Sequence, residues 1–513
     1  MAPLLLGIAT AQPSLLPNYL FMNNLTLPAA LSALALSAAL ASCDPDKGNQ
    51  PTIPIKTAKL ANHSVTPSLV KTLAGFDNLK IYSLISSDDV LPASPDFMFG
   101  GSADGAGLLR NPDGNGYTML VNHEDNLSIS RVQLDNTFKP VSGEYVLNSN
   151  GGRWRLCSAT LVTPQEHGFG PVFLSAGESA VDAQTHLIQP FAPNNTQGMA
   201  KGIRGLGYWS AENAVPLPKT AYPGKTVILT GEDASDATGG QLALYLSNIL
   251  GDLDGGQQYM LRRTDLNQKE TDIKTGQKHA VEFALIPDHK NLTGNQMQAQ
   301  VDPLKAIKFG RVEDIDYRKG GNGNGNGREI YFNVTGQDAS GANADKSRTV
   351  WGRVYRLVLD EKNPLKGTLE LILDGDDRNG IAGEFQNPDN ICVTENYVYV
   401  QEDSNGYGPE THDAYIYQYA IQGGGLRKVL ELDHRRTEAD AAKYNAGSSL
   451  SRKGSWEYGA MLDVSDELGI PNTFTVCIQP HSWTGQKYRD GGAKPNNGNS
   501  QASQIVVISG LPR

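Results

Sequence analysis

The sequence predicts an all-β chain, a propeller-like ring of six similar sheets carrying long insertions. Three observations lead there. First, six short runs rich in Val, Ile, Phe and Tyr each end in a polar or acidic cluster. Tyr117–Val121 runs into Asn122-His123-Glu124-Asp125, Pro171–Leu174 into Ser175-Ala176-Gly177-Glu178, and Thr226–Leu229 into Thr230-Gly231-Glu232-Asp233. Glu329–Val334 runs into Thr335-Gly336-Gln337-Asp338, Tyr397–Val400 into Gln401-Glu402-Asp403-Ser404, and Thr473–Ile478 into Gln479-Pro480-His481. Short runs of this composition read as buried strands. Second, the 513 residues include 55 Gly and 28 Pro but little helical periodicity, which suits short strands joined by many turns. Third, the acid-tipped runs lie about 50 to 100 residues apart, further than in the tighter propeller repeats, so the blades are large and carry insertions. Equivalent places in six sheets would bring the acidic ends to one face. Carboxylates gathered there repel unless cations lie between them, so multi-metal binding is the first expectation.

Taken in order, residues 1–43 read as a targeting segment. Its core, Ala29–Leu40, contains only Ala, Leu and Ser, too short to span a bilayer comfortably. It closes with Leu40-Ala41-Ser42-Cys43, which resembles a bacterial lipobox with Cys43 as the lipidated residue. No Lys or Arg precedes Lys47, and Met22 offers an alternative start. Residues 44–75, with Pro51, Pro54 and Pro67, suit a linker off the membrane. Residues 76–513 read as continuous β structure. Beyond Cys43, only Cys157, Cys392 and Cys477 remain, which allows one intramolecular disulfide at most.

Lys319–Arg328 alternates Gly and Asn and reads as a hairpin connection, since it lacks the acids of an EF-hand loop. Leu373–Gly380 fails the same spacing test, and Thr437–Leu450 suits a short helix in an insertion. The net charge of −11 and pI near 5.4 exclude the basic footprint of a nucleic-acid binder. Walker A, G-x-S-x-G and H-E-x-x-H signatures are absent, which weakens nucleotide hydrolase, serine esterase and zinc-peptidase readings. Glu166-His167 lies in a Gly-rich segment and reads as a solvated loop.

The motifs have an order. Phe99-Gly100-Gly101-Ser102-Ala103-Asp104-Gly105 precedes Leu120-Val121-Asn122-His123-Glu124. Gly231-Glu232-Asp233, Arg311-Val312-Glu313, Trp351–Arg356 and Phe385-Gln386-Asn387-Pro388-Asp389-Asn390 follow. This series resembles the PhoX-type bacterial alkaline phosphatase family over most of residues 95–485. The resemblance implies a six-bladed propeller-like fold, hydrolysis of phosphomonoesters outside the cytoplasm, and a site combining ferric iron with calcium. Carried over by motif, Glu178, Glu212, Asp233, Glu313 and Glu124 would hold metal. Arg311 and His123 would bind the substrate, Arg311 at its phosphate, and Arg311 and Glu313 would be catalytic. The family's iron-binding Cys falls at Ala176 and its neighbouring Glu at Gly177, and the twin-Arg export signal is missing. Cys157 stands too far upstream in sequence to replace that Cys without a different path of the chain. Calcium is therefore the expected cofactor, and the departures weigh against iron.

The expected protein is thus a lipid-anchored, periplasmic or cell-surface monomer that hydrolyses small phosphate esters. It would meet the membrane only through its anchor and would bind no nucleic acid. Two alternatives stand beside it. One is a calcium-dependent propeller lactonase or esterase with Asn390 as a ligand. The other is a non-catalytic calcium-binding surface lipoprotein, which the Ala176-Gly177 departure favours.

Overall fold

The computed structural model describes residues 58–194, 201–320, 327–403, 410–447, 451–490, 492 and 500–513. Cys43 and the rest of the expected targeting segment lie outside the described residues. The chain from Lys56 to Arg513 is one compact unit.

Two strands come first, β1 (Val70–Thr72) and β2 (Lys80–Ser86). A four-stranded antiparallel sheet follows, made of β3 (Ala103–Arg110), β4 (Tyr117–His123), β5 (Ser128–Leu134) and β6 (Pro140–Leu147). β7 (Arg155–Val162), β8 (Val172–Glu178) and β9 (His186–Ile188) form a three-stranded sheet. β10 (Ala211–Pro216), β11 (Thr226–Glu232), β12 (Leu242–Ser247) and β13 (Gln257–Arg263) then pair in succession, and β14 (Lys278–Leu285) joins them. β15 (Val312–Tyr317), β16 (Glu329–Val334), β17 (Arg353–Leu359) and β18 (Lys366–Asp374) pair likewise. Next come β19 (Pro388–Val393), β20 (Tyr397–Glu402), β21 (Tyr415–Ala420) and β22 (Leu426–Leu432), with β1 on the outer edge. β23 (Glu457–Asp463), β24 (Thr473–Gln479) and β25 (Gln504–Ser509) end the chain, and β2 completes their sheet.

The arrangement is propeller-like. Neighbouring first strands pack against one another in the order β3, β7, β10, β15, β19, β23 and back to β3. The described residues form five hydrogen-bonded sheets instead of six, because β14 pairs with both β13 and β18 and fuses two strand sets into a nine-stranded sheet. The pairing of β2 with β25, from Lys80 opposite Ser509 to Ser86 opposite Gln504, ties the two ends of the ring together.

All six expected runs are strands, namely β4, β8, β11, β16, β20 and β24, each the partner of one ring strand. Their reason is burial on both faces. β4, β11, β16 and β24 are buried throughout, because each sheet packs against its neighbours on either side. Phe309, Phe332 and Tyr355 show the filling, with ring centroids 5.2–5.6 Å apart.

The folded part begins earlier than residue 76. Ala58 and Leu69 are buried, and Val70 pairs with Leu432, so residues 58–75 are packed onto the sheets and do not form a tether. The Lys319–Arg328 segment joins the antiparallel partners β15 and β16, although residues 321–326 lie outside the described residues. The expected insertion helix is a single turn, Ala441–Tyr444. Cys157, Cys392 and Cys477 are all buried and free.

Candidate functional site

In an antiparallel pair, the start of one strand faces the end of its partner. Ala103 lies opposite His123, Arg155 opposite Glu178, and Ala211 opposite Glu232. Val312 lies opposite Val334, Pro388 opposite Glu402, and Glu457 opposite Gln479. The beginnings of the ring strands and the ends of their partners therefore gather at one end of the ring. There the pairing slips. The register shifts between Ala103 and Ala106, Leu156 and Ala159, Ala211 and Asn213, Val312 and Ile315, and Pro388 and Ile391. Within these irregular stretches sit Asp104, Cys157, Glu212, Glu313 and Asp389. A bulge bends its strand and re-aims a side chain, and all five of these line one cavity of about 410 Å³. Glu457, at the start of β23, lines it too. The partner strands contribute Glu124, Asp125, Glu178, Asp233, Asp403 and His481.

Among the described residues, the cavity faces ten carboxylates and three guanidiniums, those of Arg155, Arg311 and Arg452. Asp233 grips Arg311 in a fork, accepting from Nε at 2.6 Å and from Nη2 at 2.8 Å. Arg311 Nη2 also lies 3.4 Å from Glu313 Oε1. Arg311 holds a left-handed backbone, φ 72°, a conformation that costs a non-glycine residue about 1–2 kcal/mol. The carbonyl of Arg311 accepts from Thr335 N–H at 3.0 Å, and this bond, with the Asp233 fork, fixes the turn. Arg155 donates to Glu124 Oε1 at 2.9 Å and lies 3.1 Å from Asp125 Oδ1. Arg452, on the rim, is the most exposed of the three.

Such crowding resists full ionisation. Burial raises the carboxyls of Asp104, Glu178, Glu313, Asp389 and Glu457, and neighbouring carboxylates push them further. Glu212 is pushed from 4.5 up to about 8 by burial and then by Asp314. Asp233 goes the other way: burial raises it, but the Arg311 guanidinium outweighs that and holds it below its ordinary range. Burial and then Glu178 push the Cys157 thiol up.

The donors fit metal ions. Four groups each bring their ligand atoms within 4.8 Å of one another: Asp104, Cys157 and Glu212; Glu124, Cys157 and Glu178; Glu212, Glu313 and Asp389; and Asp389, Asp403 and Glu457. Among the described residues, the buried Asp104 Oδ1 and Asp389 Oδ1 of these groups accept no hydrogen bond, and Glu313 Oε1 accepts none either but lies 3.4 Å from the Arg311 guanidinium. A buried carboxylate oxygen without a donor is costly, and a cation removes that cost.

Of the residues singled out in the sequence, Glu124, Glu178, Glu212, Asp233, Arg311 and Glu313 line this cavity. His123 does not. It is fully buried, its Nδ1 lies 3.1 Å from Gly101 O, and its Nε2 lies 2.8 Å from Ser130 Oγ. Alternation along β4 turns it away from the cavity, and burial lowers its pKa to about 4. His123 is therefore packed against Phe99 and cannot bind substrate, while His481 lines the cavity instead. The sequence reading of Cys157 also needs correction. Distance along the chain is no obstacle, because β7 and β8 are antiparallel and place Cys157 Sγ 3.1 Å from Glu178 Oε2. Ala176 belongs to an apolar cluster with Trp209 and Met260.

The end of β16 stays outside the cavity. Gln337 donates to Ser235 O at 2.6 Å, and Asp338 is exposed. Asp403 closes one of the six acid-tipped runs, and Asp104 and Asp389 lie within the ordered motifs, but none of the three was assigned as a ligand; Glu457, Arg155 and Arg452 had no sequence signal beyond an acid or Arg beside a short strand. Asn390 is not among the cavity-lining residues, and its Nδ2 donates to Ser158 Oγ at 2.7 Å. Of Glu166-His167, Glu166 is exposed as expected, but His167 is buried, and Tyr317 hydrogen-bonds Glu166 beside a second cavity of about 220 Å³.

No protein-family model matches the chain, and no curated protein matches it. Among solved structures it is similar to Pseudomonas fluorescens PhoX in complex with vanadate, a transition state analogue. The two share 14% identity with a TM-score of 0.58, over 88% of this chain and 98% of that one. That likeness is one of fold. A weaker match, with TM-score 0.36 and 11% identity over 83% of this chain and 97% of that one, is the Fusarium graminearum α-L-arabinofuranosidase arb93a with an iminosugar inhibitor. The catalytic domain of the Coprinopsis cinerea GH62 α-L-arabinofuranosidase follows at TM-score 0.29 and 9% identity, over 68% of this chain and 96% of that one.

Proposed function

We propose that this chain is a metal-dependent phosphomonoesterase acting outside the cytoplasm, anchored through lipid on Cys43. The observation that carries the reading is the cavity itself. Ten carboxylates face three guanidiniums there, and several buried oxygens lack donors. Oxygen donors in this number suit calcium, which takes six to eight. The Cys157 thiol adds one softer ligand, while Gly177 still lacks the carboxylate that the family places beside the missing Cys; calcium remains the cofactor that the donor set favours.

In this reading the fold is six-bladed. Two of the blades are the halves of the nine-stranded sheet, joined through β14 at their outer edges. The six ring strands and their six equivalent partner strands support this count.

Glu124, Glu178, Glu212, Asp233, Glu313 and, in addition, Asp104, Cys157, Asp389, Asp403 and Glu457 would hold the cations. Bound cations would supply charge neutralisation at the phosphoryl oxygens and a more acidic attacking water. Arg311 meets the substrate phosphate. The Asp233 fork fixes the plane of its guanidinium, so little side-chain freedom is lost when phosphate binds. Catalysis is then mainly electrostatic stabilisation by groups already in position. The resemblance of motifs and the likeness of fold to PhoX, a protein seen with vanadate, support phosphate as the recognised group.

A panel of esters tests this. The calcium-loaded protein is expected to hydrolyse p-nitrophenyl phosphate, to be inhibited by vanadate, and to leave lactones and p-nitrophenyl acetate intact. Turnover of lactones without turnover of the phosphate would overturn it.

A further inference from the structure

We infer that Asp314 is a positioning residue that sets the mutual distances of Glu212, Glu313 and Asp389. This rests on the metal-binding reading above. The three carboxylates come from three different ring strands, β10, β15 and β19, yet their ligand atoms lie within 4.8 Å of one another. Ring strands pack side by side without a hydrogen-bonded ladder between them, so some other tie must fix their relative height. Asp314 is that tie. Its Oδ1 accepts from Asn213 Nδ2 at 2.6 Å, reaching β10 one residue past Glu212. Its Oδ2 accepts from the backbone N–H of Ile391 at 3.1 Å, reaching β19 two residues past Asp389. Asp314 itself follows Glu313, and its Oδ1 also accepts from Ile315 N–H at 2.7 Å, which holds its own rotamer.

Both partners are buried, with Asp314 at 7% and Asn213 at 4% exposure. The tie is braced from the far side of Asn213, whose Oδ1 accepts from Thr160 Oγ1 on β7 at 3.2 Å. One carboxylate thus links three strands directly beneath the three ligands. Partners that orient ligands in this way commonly change metal affinity by about 10- to 100-fold when lost.

The arrangement predicts a shared, non-additive loss. In Asp314→Asn, the new amide nitrogen must face a donor, Asn213 Nδ2 and Ile315 N–H at one position or Ile391 N–H at the other. Asn213→Ala removes the donor on β10 and opens the same tie from its other end. The experiment is calorimetric titration of calcium into chelator-stripped protein, for wild type, each single variant and the double variant, with Tm recorded in chelator for all four. Each single variant is expected to bind calcium about 10- to 100-fold more weakly, and the double variant to fall within about threefold of the weaker single variant. Tm measured in chelator reports the fold separately from the affinity. Single variants that bind calcium like wild type, or single losses that multiply in the double variant, would overturn the inference alone. Wild-type protein that takes up no calcium would remove the metal reading and the inference with it.

Discussion

Glu313→Gln is expected to remove both hydrolysis and tight calcium binding. Glu313 is 2% exposed and sits where the register of β15 slips, aimed into the cavity. Its ligand oxygen lies within 4.8 Å of those of Glu212 and Asp389, and its Oε1 has no hydrogen-bond donor. Gln keeps the shape but loses the charge and replaces one oxygen by an NH₂ that cannot ligate. The expected result is a fall in kcat of about 10³-fold and a loss of calcium affinity of at least about 10-fold. The fold should not suffer. Without metal, burial and the nearby Asp233 already disfavour a charged Glu313, so a neutral amide relieves the site. Tm in chelator should therefore equal or exceed that of wild type. Full activity in this variant would contradict the assignment of Glu313.

Removing calcium should destabilise the protein strongly at pH 8 and weakly at pH 5. The sign follows from the raised carboxyls. Asp104, Glu178, Glu212, Glu313, Asp389 and Glu457 hold protons in the metal-free fold at pH values where the unfolded chain has lost them. The folded state then binds more protons than the unfolded state, so stability falls as pH rises. The window opens near 3.8 for the two Asp and near 4.5 for the four Glu, where the unfolded carboxyls ionise, and for Glu212 it extends to about 8. Calcium reverses the trend because it binds the ionised carboxylates. At about 1,000 times its Kd, calcium adds ~4 kcal/mol to the folded state. The gap in Tm between saturating calcium and chelator should widen by about 5–10 °C from pH 5 to pH 8. In that difference the buried histidines His123, His167, His186 and His434, whose lowered pKa values favour the fold as pH rises, cancel. A gap that stays level or narrows across that range would show that these carboxyls are not crowded as described.

The legible parts of this fold were those with an unbroken pattern. The partner strands β4, β8, β11, β16, β20 and β24 are buried on both faces, so their apolar runs stood out, and the acids closing them could be read. Glu124, Glu178 and Asp233 were found in this way. The ring strands were much harder to read. Asp104, Cys157 and Asp389 occupy bulged starts of strands, where neither alternation nor a continuous apolar run survives. Cys157 was also misjudged by distance along the chain, since nothing local shows that Arg155 pairs with Glu178. His123 failed for the opposite reason: its neighbours Asn122 and Glu124 made it look polar and exposed, yet β4 turns it toward Phe99 and Tyr145. The fusion through β14 had no sequence signal either, because sheet edges are chosen by tertiary packing.

The most direct test of metal-dependent phosphate hydrolysis is the activity of the stripped protein. The chain beginning after Cys43 would be freed of metal with chelator, assayed on p-nitrophenyl phosphate, and assayed again after calcium alone is added back, with iron content measured throughout. The structure predicts no turnover after stripping and its return with calcium, in proportion to calcium bound. Turnover that persists unchanged in the metal-free protein, or calcium uptake that restores thermal stability with no hydrolysis of the ester, would contradict it.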